Sequence, residues 1–233
     1  MELRSQKTNL CLIVLSLLTP LAAQNFEFPA RHHDLPRKHA GTLKLTPEGV
    51  SFERTKPGKA KSKIDVAWLD IQEFELTDNN QIRVTTYADR RLLLGKDQSY
   101  LFTLTGKPGI PAIYASLKDK LGPRLIARLA DTTGTPQWSL PAKHVKAIQG
   151  SEGVLHIFED KIVYESKRPA QSRTWRIADL PNISTAGPYQ FSFGVEEFQL
   201  KAPLDPAKYE ALWLSLNRPK GLELISTKKE PQP

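Results

Sequence analysis

The basic residues of two predicted loops carry the clearest chemical signal in the sequence. One loop, rich in proline, glycine and serine, connects two predicted strands, and a second basic loop follows in the C-terminal part of the chain. The candidate ligand-binding residues are Lys56, Lys59, Lys61, Lys63, Lys167, Arg168 and Arg173. Clustered positive charge attracts acidic lipid headgroups, acidic polysaccharide or an acidic protein face. A solvated loop has the same composition, so both interpretations stay open.

Catalytic patterns do not accompany these loops. The sequence has no G-x-S-x-G, H-E-x-x-H or G-x-x-x-x-G-K motif. The acidic candidates for acid–base work fall on predicted strand faces or turns, where solvated carboxylates are expected; they are Glu73, Glu75, Asp78, Glu196 and Glu197. We therefore predict that the protein is not an enzyme and binds no cofactor.

Three histidines near the N-terminus invite a metal hypothesis. His32 and His33 are adjacent, so on a strand they point to opposite faces, and only one of them could join His39 at a site. No cysteine or carboxylate with ligand spacing accompanies them. The sequence therefore predicts no metal site.

The first 23 residues have the pattern of a secretory signal peptide. Arg4 and Lys7 form a positive region, residues 10–18 are apolar, and Ala22 and Ala23 offer a cleavage site. The apolar stretch is short for a membrane span, although an uncleaved anchor is the alternative. Cleavage near Ala23 would remove Cys11, the only cysteine. Export without disulfides favours a bacterial periplasm or secretion, and it argues against nucleic acid as a partner.

Two copies of one helix pattern organise the rest of the chain. Residues 111–121 and 206–216 share proline, alanine, tyrosine and two leucines at the same five positions. Each copy starts with proline and carries one apolar stripe, which predicts an amphipathic helix. Each copy also ends a longer segment of alternating apolar and polar residues, which predicts several short strands. The polar stretch 24–37 before the first strand is predicted to be an extended arm or an edge strand.

The strand pattern has a family resemblance. The residues that carry it are GTLKLT at 41–46, GVSF at 49–52, the basic loop and WLDI at 68–71. This order resembles the opening of pleckstrin-homology-like and GRAM-like domains. The resemblance implies an α+β, mainly β fold of two tandem bent-sheet barrels, each closed by a C-terminal helix. The predicted domains cover residues 24–130 and 137–233, joined by a linker at 131–136.

A binding role follows from these expectations. The formal net charge is +8. We predict a non-catalytic binding or scaffold module of the cell envelope that engages an unknown protein partner through sheet edges or the helix groove. The alternative is peripheral binding of anionic lipid or polysaccharide through the basic loops. Residues predicted to pack between domains or against a partner are Trp138, Trp213 and Leu214.

Overall fold

The fold is mainly β, as a computed structural model of the chain shows. The structure describes residues 25–34, 36–55, 63–90, 93–146 and 150–217. These ranges contain fifteen strands and two α-helices. The predicted signal peptide and three residues of the first basic loop, Lys56, Lys59 and Lys61, lie outside the described residues.

The N-terminal elements run from β1 to α1 and are called the first repeat. They are β1 (Phe26–Asp34), β2 (Arg37–Leu45), β3 (Gly49–Arg54), β4 (Lys63–Ala67), a 3₁₀ turn (Trp68–Asp70), β5 (Ile71–Thr77), β6 (Gln81–Arg90), β7 (Leu93–Leu104) and α1 (Ile110–Leu121). A second 3₁₀ turn (Gly122–Arg124) and β8 (Leu125–Arg128) follow. Helix α1 covers positions 111–121, as its sequence predicts.

The C-terminal elements, called the second repeat, have the same order. They are β9 (Trp138–Val145), β10 (Ser151–Ile157), β11 (Lys161–Ser166), β12 (Arg173–Arg176), a 3₁₀ turn (Ile177–Asp179), β13 (Ile183–Ser184), β14 (Gln190–Phe193), β15 (Glu196–Leu200) and α2 (Pro206–Asn217). In both repeats a 3₁₀ turn follows the fourth strand and a helix follows the seventh. The bend predicted near Asp70 is the first of these turns.

Strand pairing repeats as well. The strands form one sheet in the order β13-β14-β15-β9-β10-β11-β12-β8-β5-β6-β7-β1-β2-β3-β4. Within each repeat the pairing order is therefore fifth, sixth, seventh, first, second, third, fourth. Neighbours are antiparallel except β5 and β8, which are parallel. Strand β8 joins the repeats because it pairs with β5 on one side and with β12 on the other.

The prediction that residues 24–37 form an arm or edge strand is wrong. Strand β1 pairs with β2 along its whole length, and Ala30 to His33 also pair with β7. Ala30 and His32 are buried, and the His32 ring lies against Phe52 and Phe102. The polar composition of this segment gave no signal of a strand paired on both sides, because its buried face consists of the small Ala30 and the imidazole of His32.

Each repeat encloses its own hydrophobic cluster. The first contains Phe52, Phe74 and Phe102, and α1 contributes Ile110, Ile113, Tyr114, Leu117 and Leu121 to it. The second contains Tyr164, Phe191 and Phe198, but α2 buries only Leu212 and packs Tyr209 and Leu216 partly against it. Helix α2 is thus less deeply embedded than α1, and more of its surface faces outward.

Candidate functional site

The predicted basic residues fall in different surroundings. Lys63 begins β4, is exposed, and its Nζ lies 3.1 Å from Asp65 Oδ2. Lys167 and Arg168 are exposed in the connection between β11 and β12. Arg173 lies in β12, not in the loop, and pairs with the buried carboxylate of Glu196. Arg173 is therefore a partly buried residue of the sheet and not a solvated loop cation.

Lys167 and Arg168 do line a concave surface, here called the basic cavity. Its volume is about 560 Å³. Its lining residues are Lys143, Gly150, Ser151, Glu152, Lys167 and Arg168. Glu152 pairs with Lys201 at 2.9 Å and with Lys167 at 3.9 Å. Sequence reasoning missed Lys143 and Lys201, because they lie in β9 and directly after β15, far from the loop in the chain.

The joint between the repeats is built around Thr174 of β12. Its backbone pairs with Ala127 of β8. Its Oγ1 donates to the Leu129 carbonyl at 2.8 Å and accepts from the Asp131 N–H at 3.0 Å. Because Thr174 is buried, these bonds are shielded from competing water.

A buried ion pair adds to the joint. Lys161 Nζ lies 2.7 Å from Asp131 Oδ2 and 3.0 Å from Thr133 Oγ1. Burial acts to raise the pKa of Asp131, but the hydrogen bonds from Lys161 and Thr133 outweigh it and lower that pKa overall. The start of the predicted linker is therefore fastened to β11.

Arg176, the last residue of β12, connects the second repeat to α1. Its guanidinium donates to the Lys118 carbonyl, and Nη1 lies 3.5 Å from Asp119 Oδ1. Its Nε lies 3.4 Å from Asp179 Oδ2. The Lys118 carbonyl and the largely exposed carboxylate of Asp119 thus connect the end of α1 to the other repeat.

A groove of about 320 Å³ lies beside this contact, between α1, the second repeat and the end of α2. Its lining residues are Tyr114, Lys118, Asp119, Glu159, Asp160, Lys161, Arg176, Ile177, Ala178, Leu180, Ser215 and Leu216. Burial raises the pKa of Tyr114 to about 12, so its phenol carries no charge in the groove even at pH values well above the physiological range. The lining thus includes charged side chains of both signs together with apolar side chains.

The outer face of α2 presents apolar side chains to solvent. Trp213 is 43% exposed and Leu214 is 47% exposed. They occupy the positions that Lys118 and Asp119 occupy in α1. Trp138, the third residue predicted to pack between domains or against a partner, packs partly against the cluster of the second repeat. Trp213 and Leu214 are therefore the pair that is available to a partner.

A buried polar cluster lies inside the second repeat. His144 Nε2 is 2.6 Å from Glu196 Oε2, and the ring stacks on Phe198 with centroids 4.7 Å apart. Because a carboxylate only accepts, Nε2 carries the shared proton. Burial tends to raise the pKa of Glu196, yet the bond from His144 and the charge of Arg173 lower it overall. The pair of Arg173 and Glu196 is thus charged at neutral pH.

The N-terminal histidines are separated as the strand pattern predicts. His32 is buried among aromatic rings, whereas His33 Nε2 lies 2.9 Å from Thr103 Oγ1. Among the described residues, no group of three or more histidine, cysteine or acidic side chains has the arrangement of a metal site. Within the same ranges, neither helix has the length and apolar character that a membrane crossing requires.

Comparisons with known proteins leave the family open. No protein-family model matches the chain, and no curated protein matches it. A structure of the C-terminal domain of an unknown protein from Leishmania infantum is 17% identical, with a TM-score of 0.30 over 41% of this chain and 80% of that one. The Spt16D Pob3N heterodimer is 11% identical, with a TM-score of 0.34 over 84% of this chain and 92% of that one. Scores this low establish neither a shared fold nor a shared function.

Proposed function

We propose that the chain is an exported, non-catalytic interaction module of two tandem pleckstrin-homology-like units, and that the outer face of α2 binds a protein partner. The observation that carries this proposal is the exposure of Trp213 and Leu214. At the equivalent positions of the first repeat, the Lys118 carbonyl and the Asp119 carboxylate contact Arg176 of the second repeat.

The chemistry of the α2 face supports binding. Adjacent exposed apolar side chains of this size are typical of interaction sites. Tryptophan in particular is enriched among the residues that dominate interface energies. Neighbouring polar positions of the groove, such as Asp160 and Ser215, would form the rim of such an interface.

Capture of a partner tests the proposal. The immobilised chain is incubated with an envelope extract, and the retained proteins are compared for the wild type and for W213A/L214A. We expect a specific protein to be retained by the wild type and lost with the double variant. Tyr189→Ala is the matched control, because Tyr189 is another exposed aromatic residue of the second repeat. Equal retention by the wild type and W213A/L214A would contradict the proposal.

The basic cavity supports a second candidate function, peripheral binding of an anionic lipid or polysaccharide. Its lining carries Lys143, Lys167 and Arg168 against the single carboxylate of Glu152. Lys143 and Arg168 have no ion-pair partner among the described residues. A concave surface with this charge excess concentrates anionic groups, and its attraction falls with ionic strength.

A further inference from the structure

The joint between the two repeats is a template for a contact between two copies of the chain. One side of the joint consists of α1, β5 and β8. The other side consists of β12 and the 3₁₀ turn Ile177–Asp179. Within residues 25–217 as described, each of these elements except β8 has a counterpart in the other repeat: α2 for α1, β13 for β5, β4 for β12, and Trp68–Asp70 for Ile177–Asp179.

The counterparts lie at the two ends of the sheet. Strands β13 and β4 are its terminal strands, each with one neighbour among the described residues. In the middle of the sheet the equivalent strands, β5 and β12, are joined through β8. An unpaired strand edge is a ready site for further strand pairing. Among the described residues, the chain thus leaves one surface of each kind without a partner, here called unused, at opposite ends of its strand order.

The side chains at the two unused surfaces match each other. Aligning the 3₁₀ turns places Ala67 at the position of Arg176, and Leu69 at that of Ala178. Leu69 is 84% exposed, and Ala67 is exposed beside it. On the helix side, Trp213 and Leu214 replace Lys118 and Asp119.

At these positions the contact inside the chain is polar, with Asp119 against Arg176. The equivalent positions on the two unused surfaces carry apolar side chains. Contact between them would bury apolar area, which drives most protein association. Neither surface would bury a charge against the apolar side chains of the other at these positions.

Strand β4 also carries a hydrogen-bond acceptor. Asp65 occupies the position of Thr174. Its exposed carboxylate, whose Oδ2 lies 3.1 Å from Lys63 Nζ, can accept a further N–H. The β4 surface therefore offers a hydrogen-bond acceptor as well as the apolar side chains of Ala67 and Leu69.

We propose that copies of this chain associate head to tail, with Trp213 and Leu214 of one copy against Ala67, Leu69 and β4 of the next. The inference rests on the proposed function, since it names a second copy as the occupant of the α2 face. Such a contact is heterologous, so each copy keeps one free surface and the assembly grows beyond a dimer unless it closes into a ring.

Two complementary variants test the assembly. Leu69→Asp alters only the β4 surface, and W213E/L214E alters only the α2 surface. All three side chains are exposed, so both variants are expected to melt like the wild type, which circular dichroism checks. Leu69→Ala is a milder second variant of the same surface. Val195→Asp is the control, because Val195 is exposed elsewhere in the second repeat.

Sedimentation velocity and light scattering over a concentration series give the readout. For the wild type and for Val195→Asp, we expect the molar mass to rise with concentration beyond that of a dimer, or to level off at the mass of a closed ring. Each surface variant should associate at least about 30-fold more weakly, as loss of an interface hot spot does. A mixture of Leu69→Asp with W213E/L214E should form a one-to-one dimer that grows no further, because one intact surface of each kind remains.

Three outcomes would overturn the assembly. They are a wild type that stays monomeric up to about 1 mM, a mixture that does not associate, and association that Leu69→Asp leaves unchanged. A monomeric wild type that still captures an envelope protein through Trp213 and Leu214 would remove the assembly and leave the proposed function standing. If the wild type neither self-associates nor captures an envelope protein through Trp213 and Leu214, the α2 face is rejected as an interaction surface.

Discussion

Lys161 Nζ lies 2.7 Å from Asp131 Oδ2, and their side chains are only 7% and 13% exposed. The pair connects β11 to the segment that follows β8. Lys161 also lies over the Phe158 ring, 4.9 Å from its centroid. Separating the pair would leave each partner as a buried, uncompensated charge. The pair therefore holds the segment that follows β8 against β11.

Replacement of Asp131 by alanine should therefore destabilise the protein strongly. It leaves Lys161 buried without its carboxylate, and we expect a loss of about 3 kcal/mol in the free energy of unfolding. Urea unfolding at neutral pH measures it. Asp97→Ala is the control: Asp97 is exposed and has no ion-pair partner among the described residues, so a change within about 0.5 kcal/mol is expected. Equal stability of the two variants would show that the pair does not hold the joint.

Glu196 should make the free energy of unfolding depend on pH in the acidic range. Burial acts to raise its pKa, but the bond from His144 and the charge of Arg173 outweigh burial, so the pKa is lowered in the fold. A carboxyl with a lowered folded pKa adds stability above its unfolded pKa, about 4.3, and loses it as pH falls through the folded pKa. Glu196→Gln should thus cost about 3 kcal/mol at pH 7, since Arg173 loses its counter-charge.

The cost of Glu196→Gln should begin to shrink as the pH falls below about 4.3, where the carboxyl of the unfolded chain takes up a proton, and it should be lost as the pH falls through the lowered pKa of the folded protein. Urea unfolding at several pH values measures the difference between the two proteins. Glu197→Gln is the control at the neighbouring exposed position and should leave the pH profile of the wild type unchanged. A difference that is constant from pH 7 to pH 3 would contradict a charged Glu196.

The parts of the fold that local patterns encode were predictable from the sequence. Both helices, the mainly β class and the bend at Asp70 follow from proline positions, apolar periodicity and the internal repeat. The pairing of β1 was not predictable, because its buried face is made by Ala30 and His32. Likewise Arg173 looked like a loop cation, since its partner Glu196 lies 23 residues away in the chain. Local composition does not predict contacts between residues that lie far apart in the chain and meet only in the folded sheet.

Gly41 and Gly153 occupy the same place in the two repeats and should be equally intolerant of a side chain. A Cβ at Gly41 would lie 2.2 Å from the Glu53 carbonyl oxygen, and one at Gly153 would lie 2.2 Å from that of Glu165. In both cases an aromatic ring, of Phe52 or Tyr164, lies within 3 Å as well. Because backbone cannot move aside cheaply, each alanine variant should lose about 3 kcal/mol.

Gly106→Ala separates this crowding from the ordinary cost of replacing glycine. Gly106 has a φ of +85° and open space around its Cβ position, so its variant should lose only about 1 kcal/mol. Thermal unfolding of the three variants measures which of them lose the most stability. If Gly41→Ala and Gly153→Ala cost no more than Gly106→Ala, the close approach of ring and carbonyl does not constrain the sheet.

Anionic vesicles test the basic cavity directly. Removing two positive charges in K143S/R168S should weaken vesicle binding about 30-fold at low salt, because each basic residue near an anionic surface contributes about 1 kcal/mol. Sedimentation with vesicles containing an acidic lipid measures this, and high salt should abolish binding by the wild type. Lys96 and Lys208 are exposed outside the cavity, so K96S/K208S removes the same charge as a control. Equal weakening by both double variants would assign binding to net charge and not to the cavity. If an acidic polysaccharide competes with the vesicles, the anionic polymer is the preferred ligand.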